Sequence, residues 1–246
     1  PDVYLVLDED FNTLASLGAL KNLDMLVGGD KEFDFNVFYS SVYKAGQYEG
    51  SQYALPMECN PTLMFVNKTL LQKEGIKVPD NDWTWDDFYD ICKTIVKDSD
   101  GDGQMDQFGC YDYTWLQAVY SNGITPFNQS GTSSNFLDEK FSQSLEFVKR
   151  LEATNRNYQV TSNDFDLGKV AFRPFTFSDY RTYMPYPWRI KKYSGFEWTC
   201  IRMPAGPSGD NRSEMSALMA GMSSRTEKKQ CAWDFVKLLT TDTDIQ

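Results

Sequence analysis

The most concentrated chemistry in the sequence is carboxylate. Asp98, Asp100, Asp102 and Asp106 fall at positions 1, 3, 5 and 9 of a loop with Gly103 at position 6. That is the spacing at which a turn wraps oxygen donors around a calcium ion. Gln104 adds a further oxygen, and Met105 is apolar, as such a loop prefers. Position 12, where a bidentate Glu completes the shell, is Gly109. The loop therefore reads either as a weakened, structural Ca2+ site or as an acidic Gly-rich turn that binds nothing.

A second acidic run, Asp8-Glu9-Asp10, follows the apolar stretch Val3–Leu7. Ligands of open α/β sheets sit at the carboxyl ends of strands, and carboxylates accept paired hydroxyls well. The same run also suits a solvated helix N-terminus, which the helix dipole favours. A third set, Glu58, Asn60 and Thr62, lies in Tyr53–Lys68, where Pro56 and Pro61 force extended backbone. We read two short strands there, Tyr53–Leu55 and Leu63–Val66, joined by a polar crossing segment.

The totals narrow the chemistry. The 246 residues carry a net charge of −11 and no His. That balance argues against a nucleic-acid role, which calls for a basic patch. It also excludes Ser-His-Asp and Cys-His catalysis within the chain. The five Cys contain no C-x-x-C pair, so neither a zinc ribbon nor a thioredoxin-like site is expected. No apolar run reaches the ~18 residues of a membrane helix. Aromatic residues are 15% of the chain, enough to fill cores or to line a cleft for a ring-shaped ligand.

Helical and strand patterns alternate along the chain. Val3–Leu7 reads as a buried parallel strand followed by a helix. Thr84 and Asp87 form a capping box ahead of Trp85, Phe88, Cys92 and Ile95 on one helix face. Phe141, Leu145, Val148 and Leu151 mark another helix; Val170–Phe172 and Ser216–Met222 read as strands. This alternation favours an α/β chain with mainly parallel sheets flanked by helices.

The segment Tyr53-Ala-Leu-Pro56, continuing through Thr62-Leu63 and Val66-Asn-Lys68 to Gly75-Ile76 and Trp83-Thr-Trp-Asp-Asp-Phe88, carries a resemblance. So do Pro1–Asp24, Gly168–Phe172, Phe196–Gly209 and Ser223–Gln246. In order, these pieces resemble the family 1 extracellular solute-binding proteins of bacterial ABC importers. This is the carbohydrate-binding group that includes maltose-binding protein. The resemblance implies a two-lobed, periplasmic-binding-protein-like fold (type II), here truncated at both ends. Residues 1–62 and 201–246 would belong to the first lobe and residues 63–200 to the second. Hinges would lie at Tyr53–Asn67 and Trp198–Met203. It implies ligand contacts at Glu9, Asp10, Glu58 and Asn60. Tyr111, Tyr113 and Trp115 match its stacking rings, with core packing as the alternative. Phe177, Ser178 and Asp179 occupy the turn where the family has a Trp, a departure that leaves the ligand's identity open. Arg173 and Arg181 flank that turn.

The expected function is non-catalytic. A sugar or oligosaccharide is held and passed to an ABC transporter permease by a monomeric lipoprotein, extracellular or periplasmic. No cofactor is required beyond a possible structural Ca2+. The competing class is a glycoside hydrolase with Glu58 and Glu9 as its acid pair.

Overall fold

The computed structural model describes all residues except 129, 157, 180–194, 243, 245 and 246, so Arg181 lies outside the described residues. The chain divides into two compact units. One comprises Pro1–Asn60, Phe127–Ser133 and Met215–Gln246; the other comprises Pro61–Pro126 and Ser134–Glu214.

In the first unit β1 (Val3–Leu7) runs into α1 (Asp8–Ser16) and α2 (Asp24–Gly29). A 3-10 turn (Phe35–Val37), α3 (Ser40–Ala45) and the hairpin β2 (Gln47–Tyr48) and β3 (Ser51–Gln52) follow. The strand β4 (Ala54–Asn67) then leaves for the second unit.

The elements of the second unit, in chain order, begin with α4 (Lys68–Lys73), α5 (Trp85–Ile95), β5 (Phe108–Cys110) and α6 (Trp115–Ser121). They continue with α7 (Glu139–Glu152), α8 (Ser162–Asp166), β6 (Val170–Thr176) and β7 (Trp198–Ile201). The chain returns to the first unit as β8 (Met215–Met222) and α9 (Lys229–Thr241).

Strand alternation builds the core of the first unit. Successive strand side chains point to opposite faces. Ala217 and Met219 of β8 therefore pack with Val6, Phe11 and Ala15, whereas Ala220 and Met222 pack with Leu23, Trp233 and Val236. Helices α1 and α9 thus bury the two faces of one strand.

The second unit repeats the device on β4. Met64 and Val66 join Trp85, Phe88, Ile95 and Phe172, while Phe65 turns to Phe165, Phe175 and Phe196. Helix α5 forms where its pattern predicts, with the Thr84–Asp87 capping box closed in both directions.

Three expectations need correction. The pairings described are mostly antiparallel: β1 with β8, and β4 with both β6 and β7; only β5 with β6 is parallel. The apolar run Val3–Leu7 is not a buried parallel strand. Among the described residues it lies at the end of the strand order with β8 its one neighbour, and Leu5 and Leu7 remain 60% and 48% exposed. Apolar composition says that a strand is favoured, not how many neighbours it has.

Nor is Tyr53–Lys68 two strands with a loop between; its Ala54–Asn67 is the single strand β4. Proline is tolerated in a strand where its missing N–H faces no acceptor. Consistent with this, the register of β4 with β6 begins at Thr62, immediately past Pro61.

Candidate functional site

The second unit contains a cavity of about 880 Å3 between the β5–α6 loop and the end of α7. Its first wall is set by strand and helix chemistry. The Tyr111 N–H donates to the Phe172 carbonyl (3.0 Å), so the β5 backbone stays tied to β6 one residue beyond the strand. Asp112 then takes a left-handed conformation, φ 65°, which Asp tolerates better than most residues. Thr114 caps α6, and the Gln117 side chain accepts from the Thr114 N–H (2.9 Å), completing a capping box. The reversal at Asp112 and the cap at Thr114 fix where Tyr111 and Trp115 point.

The second wall is α7, through Leu145, Val148, Lys149 and Glu152, followed by the 3-10 turn Ala153–Asn155 and by Tyr158–Val160. The Tyr158 ring stacks on Phe108 (centroids 4.5 Å, 18°), and its hydroxyl donates to Asp164 (3.4 Å). Burial and the neighbouring Asp164 carboxylate push the Tyr158 hydroxyl above its ordinary pKa.

Arg173 of β6 stands behind this loop. Its guanidinium lies over the rings of Phe175 (4.4 Å), Tyr111 (4.9 Å) and Phe165 (5.4 Å), and 3.9 Å from the Asp112 carboxylate.

The lining of the cavity therefore combines the aromatic residues Tyr111, Trp115 and Tyr158 with the acidic Asp112 and Glu152, Lys149 and Asn155. Apolar walls with a few convergent polar groups are the usual make-up of a small-molecule site. Cys110 also borders it, but burial pushes its thiol far up, which makes it a poor nucleophile.

Of the residues expected from the sequence, Tyr111, Tyr113 and Trp115 border this one cavity. They do so unequally. Trp115 is 42% exposed, with its ring beside Phe141 (5.8 Å). Tyr113 is 5% exposed and packs edge-on against Phe88 and Phe147, with its hydroxyl 3.4 Å from Ser121. Its place is the core, a correction to the reading of three stacking rings.

Glu9 and Asp10 are exposed in the first turn of α1 rather than in a loop, and Glu58 and Asn60 lie on β4; all four belong to the first unit. Phe177, Ser178 and Asp179 open a helical turn after β6, outside the cavity's lining. The Asp179 carboxylate accepts from the Thr176 N–H (3.1 Å) and hydroxyl (2.7 Å), which commits it to capping that turn.

Asp112, Lys149, Glu152, Asn155 and Tyr158 were not anticipated. The capping pattern Thr114-x-x-Gln117 was the signal that could have flagged Asp112 as the residue entering a helix.

In the acidic loop, carboxylate oxygens of Asp98, Asp100 and Asp106 lie within 4.8 Å of one another. The loop is closed by a bridge between Lys97 and Gln107. Asp98 accepts from the N–H groups of Gly103 (2.8 Å) and Gly101 (2.6 Å), which hold its carboxyl below its ordinary pKa. Those glycines have φ 88° and 81°, the left-handed region that glycine enters without strain. Asp102 is not in the cluster; its Oδ1 accepts the Gln104 N–H (2.7 Å) instead. The clustered carboxylates number three, against four from spacing, because Asp102 is drawn into the next turn.

A family model described as bacterial extracellular solute-binding protein matches residues 1–245. Three of the solved structures that are similar to the chain illustrate the likeness. One is an ABC substrate-binding protein, Lmo0181, from Listeria monocytogenes in complex with cycloalternan. It is 21% identical, with TM-score 0.72, and the match covers 100% of this chain and 62% of that one. Another is the sugar-binding protein MalE from Xanthomonas citri, 17% identical with TM-score 0.77, covering 97% and 61%. A third, CpMnBP1 with mannobiose bound, is 22% identical with TM-score 0.67, covering 96% and 61%. At these identities the likeness is one of fold. The chain spans 61–62% of the length of these structures.

Proposed function

The chain belongs to the bacterial extracellular solute-binding protein family, and from that premise we propose that it binds a sugar or oligosaccharide without altering it and delivers it to an ABC transporter permease. The observation that carries the reading is one cavity whose lining includes the aromatic residues Trp115 and Tyr111 together with the acidic residues Asp112 and Glu152. A pyranose has an apolar face of C–H groups that an indole or phenol can cover, and a rim of hydroxyls that carboxylates accept. The solved relatives that carry cycloalternan and mannobiose support this ligand class.

The same reading makes the protein a monomer outside the cytoplasm, tethered by a lipid, with no chemistry of its own. A glycoside hydrolase using Glu9 and Glu58 has no support: the family is one of binding proteins, and Glu9 sits exposed in a helix first turn. The acidic loop is part of the proposal as a structural calcium site held by Asp98, Asp100 and Asp106, the three carboxylates that converge there.

The test is calorimetric titration of the chain with mannobiose, mannotriose and D-mannitol, each followed by a search for new products. Saturable binding with the sugar recovered intact supports the proposal. Cleaved sugar, or no binding to any of the three, contradicts it.

A further inference from the structure

Arg173 is not part of the cavity lining, yet its guanidinium touches two residues that are, Tyr111 and Asp112. Its place follows from the sheet. β5 runs parallel to β6 with Cys110 level with Phe172, and the Tyr111 N–H donates to the Phe172 carbonyl (3.0 Å). The loop therefore leaves the sheet beside the next residue of β6, which is Arg173. The Arg173 side chain is 18% exposed, with its guanidinium 4.9 Å from the Tyr111 ring and 3.9 Å from the Asp112 carboxylate. It also lies over Phe175 (4.4 Å) and Phe165 (5.4 Å), both buried. Asp112 reverses the chain at φ 65°. A non-glycine residue is disfavoured there on its own and persists where its surroundings over-determine it. One side chain, anchored on buried rings, thus contacts both the residue that makes the reversal and the residue before it.

Resting on the sugar-binding reading, we propose that Arg173 is a positioning residue of the site: it sets where Tyr111 and Asp112 stand in the cavity lining, and so sets sugar affinity through them. A guanidinium is planar and always charged, so it stacks on ring faces and attracts a carboxylate at the same time. Lysine, a point charge on a flexible stem, does only the second. A loop already held in its binding shape binds more tightly, because ordering it on binding subtracts from affinity. Without Arg173 the loop takes other shapes, and part of the binding free energy goes into reordering it. That loss is felt only through Tyr111 and Asp112, and it shrinks when either is removed. All of these residues belong to the second unit.

The experiment is a double-mutant cycle read by calorimetric titration. The chain, Arg173→Met, Tyr111→Ala and the double variant are titrated with whichever of mannobiose, mannotriose and D-mannitol the parent binds most tightly. The temperature is one at which melting curves show all four folded. Met keeps an apolar stem and removes the guanidinium. The expected result is binding about 10-fold weaker for Arg173→Met than for the parent. In the Tyr111→Ala background the same substitution should change binding by less than about 3-fold. Arg173→Lys, which returns the charge without the plane, should fall between Arg173→Met and the parent. Should Arg173→Met not fold, Arg173→Lys carries the same cycle; should Tyr111→Ala bind too weakly to titrate, Asp112→Asn takes its place. Unchanged binding by Arg173→Met overturns the assignment alone. So does an equal loss in both backgrounds, which is what a residue acting through the overall fold, or touching the sugar itself, would give. A parent chain that binds none of the three sugars overturns this inference together with the function it rests on.

Discussion

The guanidinium of Arg173 lies 3.9 Å from the carboxylate of Asp112, while three aromatic rings face it at 4.4–5.4 Å. The distances decide which contact matters. An ion pair at 3.9 Å to a half-exposed carboxylate contributes under about 1 kcal/mol, whereas stacking plus burial of the Arg stem contributes more. Arg173→Ala should destabilise the chain by about 2 kcal/mol, and Asp112→Asn by less than about 1 kcal/mol. Denaturant unfolding of both variants checks the order; equal losses would assign the work to the ion pair.

The rings of Trp85 and Phe147 lie face to face, 4.2 Å apart and 5° from parallel, which joins α5 to α7. Trp85→Ala should cost about 3–5 kcal/mol, the range for deleting a large buried ring. Thr84→Ala, which removes only the cap, should cost about 1 kcal/mol. Thermal melts rank the two. A larger loss at Thr84 would show that helix propensity, not this contact, holds α5 in place.

Much of this was legible before any coordinates. The Thr84–Asp87 box marked α5 because capping chemistry is local, and Ser216–Met222 fell within one residue of β8. Pairing direction was not legible, because Val3–Leu7 carries the same residues whichever way its neighbour runs. The cavity was only half legible. Its loop wall stood out through Tyr111 and Trp115, but Leu145 and Val148 read simply as a helix face turned to a core. No periodicity marks the point at which that face opens. Asn155 sits in a turn that no motif announces.

Asp30 accepts from the Lys237 ammonium (2.7 Å), the Trp233 indole N–H (2.8 Å) and the Glu32 N–H (2.9 Å), which bring its pKa down to about 2. A depressed carboxyl contributes stability above its unfolded pKa, here 3.8, and loses it as pH falls through about 2. Asp30→Asn should therefore melt below the parent at pH 7, with the gap closing from pH 4 downward. A gap of the same size at pH 2 and pH 7 would contradict this linkage.

Calcium should raise the melting temperature of a chelator-stripped sample, and Asp98→Asn with Asp106→Asn should abolish the rise. The Gly109 position deprives the loop of its bidentate ligand, so binding should be weak, on the order of 10⁻⁴–10⁻³ M. No heat on titration and no melting shift at millimolar calcium would leave the loop an acidic turn.

The central claim is tested most directly by calorimetric titration of mannotriose into the parent chain and into Trp115→Ala. Saturable binding by the parent, weakened at least 10-fold when the exposed indole is removed, with the trisaccharide recovered whole, is the predicted result. Undiminished binding by Trp115→Ala would contradict it, as would mannotriose returned as shorter sugars.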